Sequence, residues 1–202
     1  MSKSFSSRVS QSSTPAPFEK LEGRRLFSAM FVDANAGLHL DNDNTNDFTA
    51  AYYDNAGTPA VTADDKVHVR MFSGGVWTSG TFLGVNHIIF RGLEGNDQMQ
   101  NNTPYRSFQY GGGGDDTLIG GTSTDYLYGE KGNDKLFGKD GNDRLDGGFD
   151  VDELHGGNGN DYLDTGADFS FGEIAFGEAG VDTFKSRPGD ATDWVFGETI
   201  IP

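Results

Sequence analysis

The sequence predicts an all-β protein wound as a right-handed parallel β-roll, with an irregular β-strand cap at its N-terminal end. Three observations predict it. Residues 111–164 divide without a gap into six nonapeptides: GGGGDDTLI, GGTSTDYLY, GEKGNDKLF, GKDGNDRLD, GGFDVDELH and GGNGNDYLD. Each unit places an aspartate at position six (Asp116, Asp125, Asp134, Asp143, Asp152, Asp161) and a leucine at position eight (Leu118, Leu127, Leu136, Leu145, Leu154, Leu163). The chain also holds 30 glycines in 202 residues, a density suited to frequent turns rather than to helices. A strict period of nine does not fit helical packing and fits a coil in which every unit supplies one turn and one short strand.

Positions one to six of each unit are rich in Gly, Asn and Asp, which accept positive φ and build tight turns. Positions seven to nine form the strand. Side chains alternate along a strand, so the leucine points to one face and its neighbours to the other. The leucines go inward and stack on those of successive coils. Two nonapeptides complete one coil, so alternate units lie above one another: Asp116 over Asp134, Asp134 over Asp152, Asp125 over Asp143, and Asp143 over Asp161. Carboxylates stacked in this way repel one another unless a cation lies between them. A hard divalent ion with an irregular shell of six to eight oxygens suits such turns, and calcium has that preference.

These units resemble the RTX (hemolysin-type) calcium-binding repeat, G-G-x-G-x-D-x-U-x with U a large apolar residue. The resemblance extends upstream to GLEGNDQMQ (92–100), with Asp97 and Met99 in the key places. Downstream it extends to GEAGVDTFK (177–185), with Asp182 and Phe184. It implies that the position-six aspartates, from Asp97 through Asp116, Asp125, Asp134, Asp143, Asp152 and Asp161 to Asp182, each give Ca2+ a side-chain oxygen. It also implies backbone carbonyl ligands from Gly111, Gly113, Gly129, Gly138, Gly147 and Gly156. The expected total is about four good sites, with two poorer ones at the ends through Asp97 and Asp182. Position four departs from glycine at Ser123 and Asp150. Aspartate tolerates the left-handed region, so the Asp150 turn is expected intact and the Ser123 site looser. The connecting stretches 101–110 and 165–176 lack the pattern and are expected to complete coils as bulged, metal-poor turns.

Charge makes folding conditional. Residues 111–164 hold thirteen acids and four bases, and the whole chain carries a net charge of −16. Low hydrophobicity with such repulsion leaves a chain unfolded, whereas an ion that binds only the folded form stabilises it by mass action. Calcium modules of the extracellular kind bind at about 10⁻⁴ to 10⁻³ M, so the segment is expected to stay loose in cytosol and to fold outside. The acidic balance excludes nucleic acid as a partner. The chain has no cysteine, which excludes disulfides and thiolate metal sites. No apolar run approaches the ~20 residues of a transmembrane helix.

Four regions follow in order. Residues 1–36 read as a leader or targeting segment. They are Ser-rich and acid-free to Pro17, then carry LEGRRLFSA (21–29), which resembles the LEPRxLL-type motif of bacterial surface and secreted proteins with Gly23 in the proline place. Arg24-Arg25 and Ala34-Asn35-Ala36 suggest a twin-arginine leader and an A-x-A cleavage site; the alternative is a short segment docked on the cap. Residues 37–91 alternate in patches and read as the cap that shields the open end of the leucine stack, with 87–91 as the first strand of the roll. The acidic run 41–47 lacks the Gly and final Glu of an EF-hand and reads as a solvated turn. Residues 92–185 form the roll. Residues 186–202 form a C-terminal cap or tail, in which Trp194 and Phe196 cover the last coil or the end carries a type I secretion signal.

The sequence contains no HExxH and no G-x-S-x-G. The sequence therefore reads as a non-enzymatic, exported calcium-binding β-roll with a structural or adhesive role at the cell surface or in the matrix. Its expected partners are calcium ions, with extracellular polysaccharide or a surface protein as further candidates. Tyr126, Arg144 and Tyr162 are expected to stack as an outward ladder with the guanidinium between two rings. Two alternatives stand: a glycan-binding module using that ladder, and a secreted hydrolase with acid-pair chemistry.

Overall fold

The computed structural model describes residues 29–42, 45–54, 66–166, 172–185, 194–196 and 199–201. The LEGRRLFSA motif, except its last residue, and the side chains of Trp194 and Phe196 lie outside the described residues. The chain begins with β1 (Ala29–Val32), β2 (Gly37–Asp41), β3 (Phe48–Asp54), β4 (Lys66–Ser73) and β5 (Val76–Leu83). It continues through β6 (His87–Glu94), β7 (Gln98–Asn102), β8 (Arg106–Gly113), β9 (Thr117–Ile119), β10 (Tyr126–Lys131) and β11 (Lys135–Asp140). Then follow β12 (Arg144–Phe149), β13 (Glu153–Asn158), β14 (Tyr162–Asp164), β15 (Ile174–Ala179), β16 (Thr183–Lys185), β17 (Trp194–Phe196) and β18 (Thr199–Ile201).

From β5 onward successive strands alternate between two sheets, which is what winds the chain into a β-solenoid. One sheet runs β1-β2-β6-β8-β10-β12-β14-β16-β18 and the other β17-β15-β13-β11-β9-β7-β3-β4-β5. From β6 onward every pairing is parallel and steps one coil at a time, with Leu127 opposite Leu145 and Leu145 opposite Leu163 in one sheet. In the other, Met99, Leu118, Leu136 and Leu154 stand in one row. These side chains are wholly buried and form a single apolar column between the sheets. At roughly 25 cal/mol per Å² of apolar surface, each buried leucine adds about 1.5–3 kcal/mol.

The region read as the cap divides into two parts. β2 pairs in parallel with β6, and β3 with β7, so residues 37–54 already form a coil of the stack, and 87–91 belongs to the second coil. The antiparallel elements are β1, on β2, and the β4–β5 hairpin, on β3. Val67, Val69 and Met71 of the hairpin are buried in the same cluster as Leu38, Leu40 and Ile88, so the hairpin packs against the apolar column. Ala34-Asn35-Ala36 lies in the β1–β2 turn, where Asp33 accepts the Asn35 and Gly37 N–H groups.

Two local devices set the turns. Position four is left-handed, as at Gly159 (φ 140°), where a Cβ would strike the Gly141 carbonyl of the coil before. Asp150 holds φ 75° without a glycine, as expected of aspartate. Along the turn edge, position-five side chains link coils: Asn46 accepts the Asn96 N–H, Asn96 that of Asp115, Asp115 that of Asn133, and Asn133 that of Val151. This Asx ladder satisfies backbone donors that would otherwise be orphaned between coils.

Candidate metal centre

The position-six aspartates form two columns, one along each turn edge. In the first, Asp97 Oδ1 accepts the Asp47 N–H (2.7 Å), Asp116 that of Asp97 (2.7 Å), Asp134 that of Asp116 (2.7 Å) and Asp152 that of Asp134 (2.9 Å). In the second, Asp143 accepts from Asp125 (2.7 Å), Asp161 from Asp143 (2.8 Å) and Asp182 from Asp161 (3.0 Å). The stacking order derived from the nonapeptide period is therefore the order in the fold. All of these aspartates are buried, at 4% exposure or less. A strand start fixes each backbone N–H, and the i+18 repeat brings the next carboxylate beneath it.

Each carboxylate spends one oxygen on that hydrogen bond. The other oxygen, Oδ2, of Asp116, Asp134, Asp143 and Asp161 is buried and has no hydrogen-bond donor. It faces further acceptors. A Cβ built on Gly129 would fall closer than 3.0 Å both to Asp134 Oδ2 and to the Gly147 carbonyl oxygen. The same holds at Gly111 for Asp116 and the Gly129 carbonyl, at Gly138 for Asp143 and the Gly156 carbonyl, and at Gly156 for Asp161 and the Gly177 carbonyl. A carboxylate and a carbonyl thus converge on a space that only a position-one glycine leaves open, with no proton donor between them. Burying an anionic oxygen without a partner costs several kcal/mol, which a cation would remove.

Burial accordingly pushes these acids upward: Asp116 to about 7, Asp134 to about 6, Asp143 to about 8 and Asp161 to about 6, with stacked and adjacent acids adding to the effect. Among the described residues no three acidic or histidine side chains converge as a metal cluster. A cation here would rest on single carboxylates and backbone carbonyls, which suits a hard, loosely shelled ion rather than zinc or copper.

The structure also separates the predicted residues. Asp125 differs from its neighbours: its Oδ2 accepts the Gly121 N–H (2.6 Å), and its Oδ1 accepts the Ser107 N–H (2.5 Å) and hydroxyl (2.8 Å). The turn before it carries Ser123 and does not use the left-handed pair found elsewhere. The Gly113 carbonyl accepts the Gly95 N–H (2.7 Å), on the ladder between coils. Three residues at position six escaped the sequence reading. Asp47, from the acidic run read as a solvated turn, is buried and heads the first column. Ser107 precedes Asp125 in the second. Glu173 is buried in the place below Asp152, since Ile174 N–H bonds the Asp152 carbonyl just as Glu153 bonds that of Asp134.

On the outer face Tyr126, Arg144 and Tyr162 stand in register, with the Arg144 guanidinium 4.4 Å over the Tyr162 ring. Tyr126 stacks on Phe108 instead, at 4.9 Å and 12°. Tyr110 stacks on Tyr128, and His155 lies between Phe137 and Phe176. These rings face one another along the sheet.

Acceptor-lined turns repeated in register over a leucine column define a metal-binding parallel β-roll. The RTX calcium-binding nonapeptide repeat is the family whose model matches, over residues 110–145 and 137–171. The chain carries RTX repeats, and this segment binds Ca2+. No curated protein and no solved structure matches the chain.

Proposed function

We propose that the protein is an exported calcium-conditional β-roll with a structural or adhesive role at the cell surface or in the surrounding matrix. The observation that carries this reading is the set of four buried Oδ2 atoms, each facing a carbonyl with no donor between. Such a roll is at odds with itself until a cation enters. Asp116, Asp134, Asp143 and Asp161 with the carbonyls of Gly129, Gly147, Gly156 and Gly177 would hold the ions, and the ions would supply charge neutralisation between coils. Millimolar calcium outside the cell then favours the wound state, and low cytosolic calcium keeps the chain slack for export.

RTX repeats are typical of secreted proteins, and such rolls are typically structural rather than catalytic. Among the described residues no helix is long and apolar enough to cross a membrane. The outer aromatic ladder gives the glycan reading little support, because Phe108 and Tyr126 occupy each other's faces. Circular dichroism of the full chain in chelator, titrated with calcium and separately with magnesium, tests the proposal. Conversion from coil to sheet with calcium and not with magnesium is expected. A chain fully folded in excess chelator overturns it.

A further inference from the structure

The hairpin strand β5 is the outermost strand of its sheet at the N-terminal end of the roll. It is eight residues long, VWTSGTFL, and holds no charged residue in a chain of net charge −16. Val76, Trp77 and Leu83 on it are 62%, 56% and 58% exposed, with Val181 at 59% the largest exposures of large apolar side chains among the described residues. Edge strands of monomers usually carry a lysine, a proline or a bulge that blocks pairing. β5 has none of these. Its flanks are open as well: a Cβ on Gly75 or on Gly84 would meet nothing within 4 Å.

We infer that β5 pairs antiparallel with β5 of a second copy, joining two rolls tip to tip. The strand is complementary to itself. A two-fold axis through Gly80, perpendicular to the sheet, sets Gly80 opposite Gly80 and preserves the faces of both sheets. Trp77 then lies opposite Leu83 of the second copy, twice, and Ser79 opposite Thr81. Trp77, Ser79 and Leu83 share one face of β5 with the β4 residues Phe72, Arg70 and Lys66 opposite them. The two most apolar outward positions would therefore cover one another, in the cross-strand contacts that stabilise sheets. The register one step away, with Ser79 on the axis, puts Trp77 against Thr81 and leaves Leu83 beyond the pairing.

Charge does not oppose a second copy at this place. The acids are concentrated along the turn edges of 111–164, and a tip-to-tip arrangement keeps those segments of the two chains apart. The cationic outer row of β4, Lys66 and Arg70, is separated from its symmetry mate by the two β5 strands. That is roughly three inter-strand spacings, or about 14 Å, beyond the Debye length of about 8 Å at physiological salt.

Sedimentation of the full chain in calcium tests the inference. The wild type is expected at twice the monomer mass at micromolar concentration, and Leu83→Lys and Trp77→Lys at the monomer mass with the wild-type calcium response in circular dichroism. Val181→Lys, at an exposed valine away from this edge, is expected to remain a dimer. The chain lacks cysteine, so register can be read directly. A mixture of Ser79→Cys and Thr81→Cys chains should crosslink under mild oxidant more readily than either variant alone. A wild type that stays monomeric in calcium, or a dimer that survives both lysine variants, overturns it. Loss of calcium-induced folding in the wild type would instead sink the proposed function, a separate outcome.

Discussion

Two turns of the same sequence pattern solve the same electrostatic problem in opposite ways. At Asp125 the protein supplies the donors itself: both carboxylate oxygens accept hydrogen bonds, from Gly121 on one side and from Ser107 and Asn101 on the other. At Asp143, one coil further along the same column, a single oxygen is satisfied and Oδ2 faces the Gly156 carbonyl with no donor. The Asp125 turn is the one with Ser123 at position four, and loss of the left-handed conformation there turns the Gly121 N–H toward the carboxylate. A carboxylate in a buried turn needs either protein donors or a cation. Loss of the left-handed turn, seen at Ser123 but not at Asp150, accompanies the exchange of one for the other.

The largest expected effect is that of pH on the protein in chelator, because it acts on the Asp116, Asp134, Asp143 and Asp161 carboxylates together. Their folded-state values, about 6 to 8, lie above the ordinary 3.8 because burial disfavours the charged form. The wound, metal-free state therefore binds more protons than the slack chain. Its stability falls as pH rises from about 4 through 8, and is regained on acidification. Sheet content in chelator should be greater at pH about 5 than at pH about 8. With calcium present protons compete for the same oxygens, so the calcium midpoint should move to higher concentration as pH falls below about 7. Identical chelator spectra at both pH values would contradict the claim that these carboxylates are short of partners.

Next in size is a single methyl group. Gly129→Ala places a Cβ closer than 3.0 Å to Asp134 Oδ2 and to the Gly147 carbonyl, where neither neighbour is a flexible tip. Overpacking of this kind costs about 1–3 kcal/mol, and the same methyl fills the space a cation would take. The calcium midpoint should rise at least several-fold, by roughly the tenfold that each 1.4 kcal/mol represents. Gly75→Ala, which carries the backbone strain of φ 81° but meets no neighbour, is the control for stability lost away from the carboxylates. A Gly129→Ala midpoint equal to that of the control would show that cations do not use this space.

Much of this was legible in the chain because the period of nine fixes three things at once. Leucine at position eight defines the interior, aspartate at position six defines the columns, and two units per coil defines which acids stack. What stayed hidden lay where the period breaks. Asp47 and Asp97 are neighbours in the column but 50 residues apart rather than 18, because the β4–β5 hairpin is inserted after the first coil. The first coil also replaces the turn glycines with asparagines and Thr45, so its acidic run resembles a solvated loop. Glu173 lies within the longer 165–176 connection and carries an extra methylene, which removes it from the aspartate pattern. The Asx ladder is hidden for another reason: Asn at position five fits turn propensity equally well, and propensity does not distinguish a local role from a bond to the next coil.

The smallest expected change in atoms gives the sharpest contrast, because its sign should differ between the two turns. In Asp143→Asn the side chain keeps an oxygen for the Asp125 N–H and turns an amide N–H toward the Gly156 carbonyl. It supplies the donor that the turn lacks and removes a buried charge. The variant should hold more sheet than the wild type in chelator at pH about 8, and it should need more calcium for its remaining sites to respond in concert. In Asp125→Asn the same amide meets the Gly121 N–H, donor against donor, or else deprives Ser107 of its acceptor. One buried polar group is left unsatisfied whichever way the amide is turned, at a cost of about 1–3 kcal/mol. That variant should hold less sheet than the wild type in chelator and should melt lower with calcium present. Chelator spectra and thermal melts of both variants, measured side by side, read the two signs. If both substitutions stabilise, protein donors do not replace the cation at Asp125; if both destabilise, the unpartnered oxygen at Asp143 is not the source of the calcium requirement.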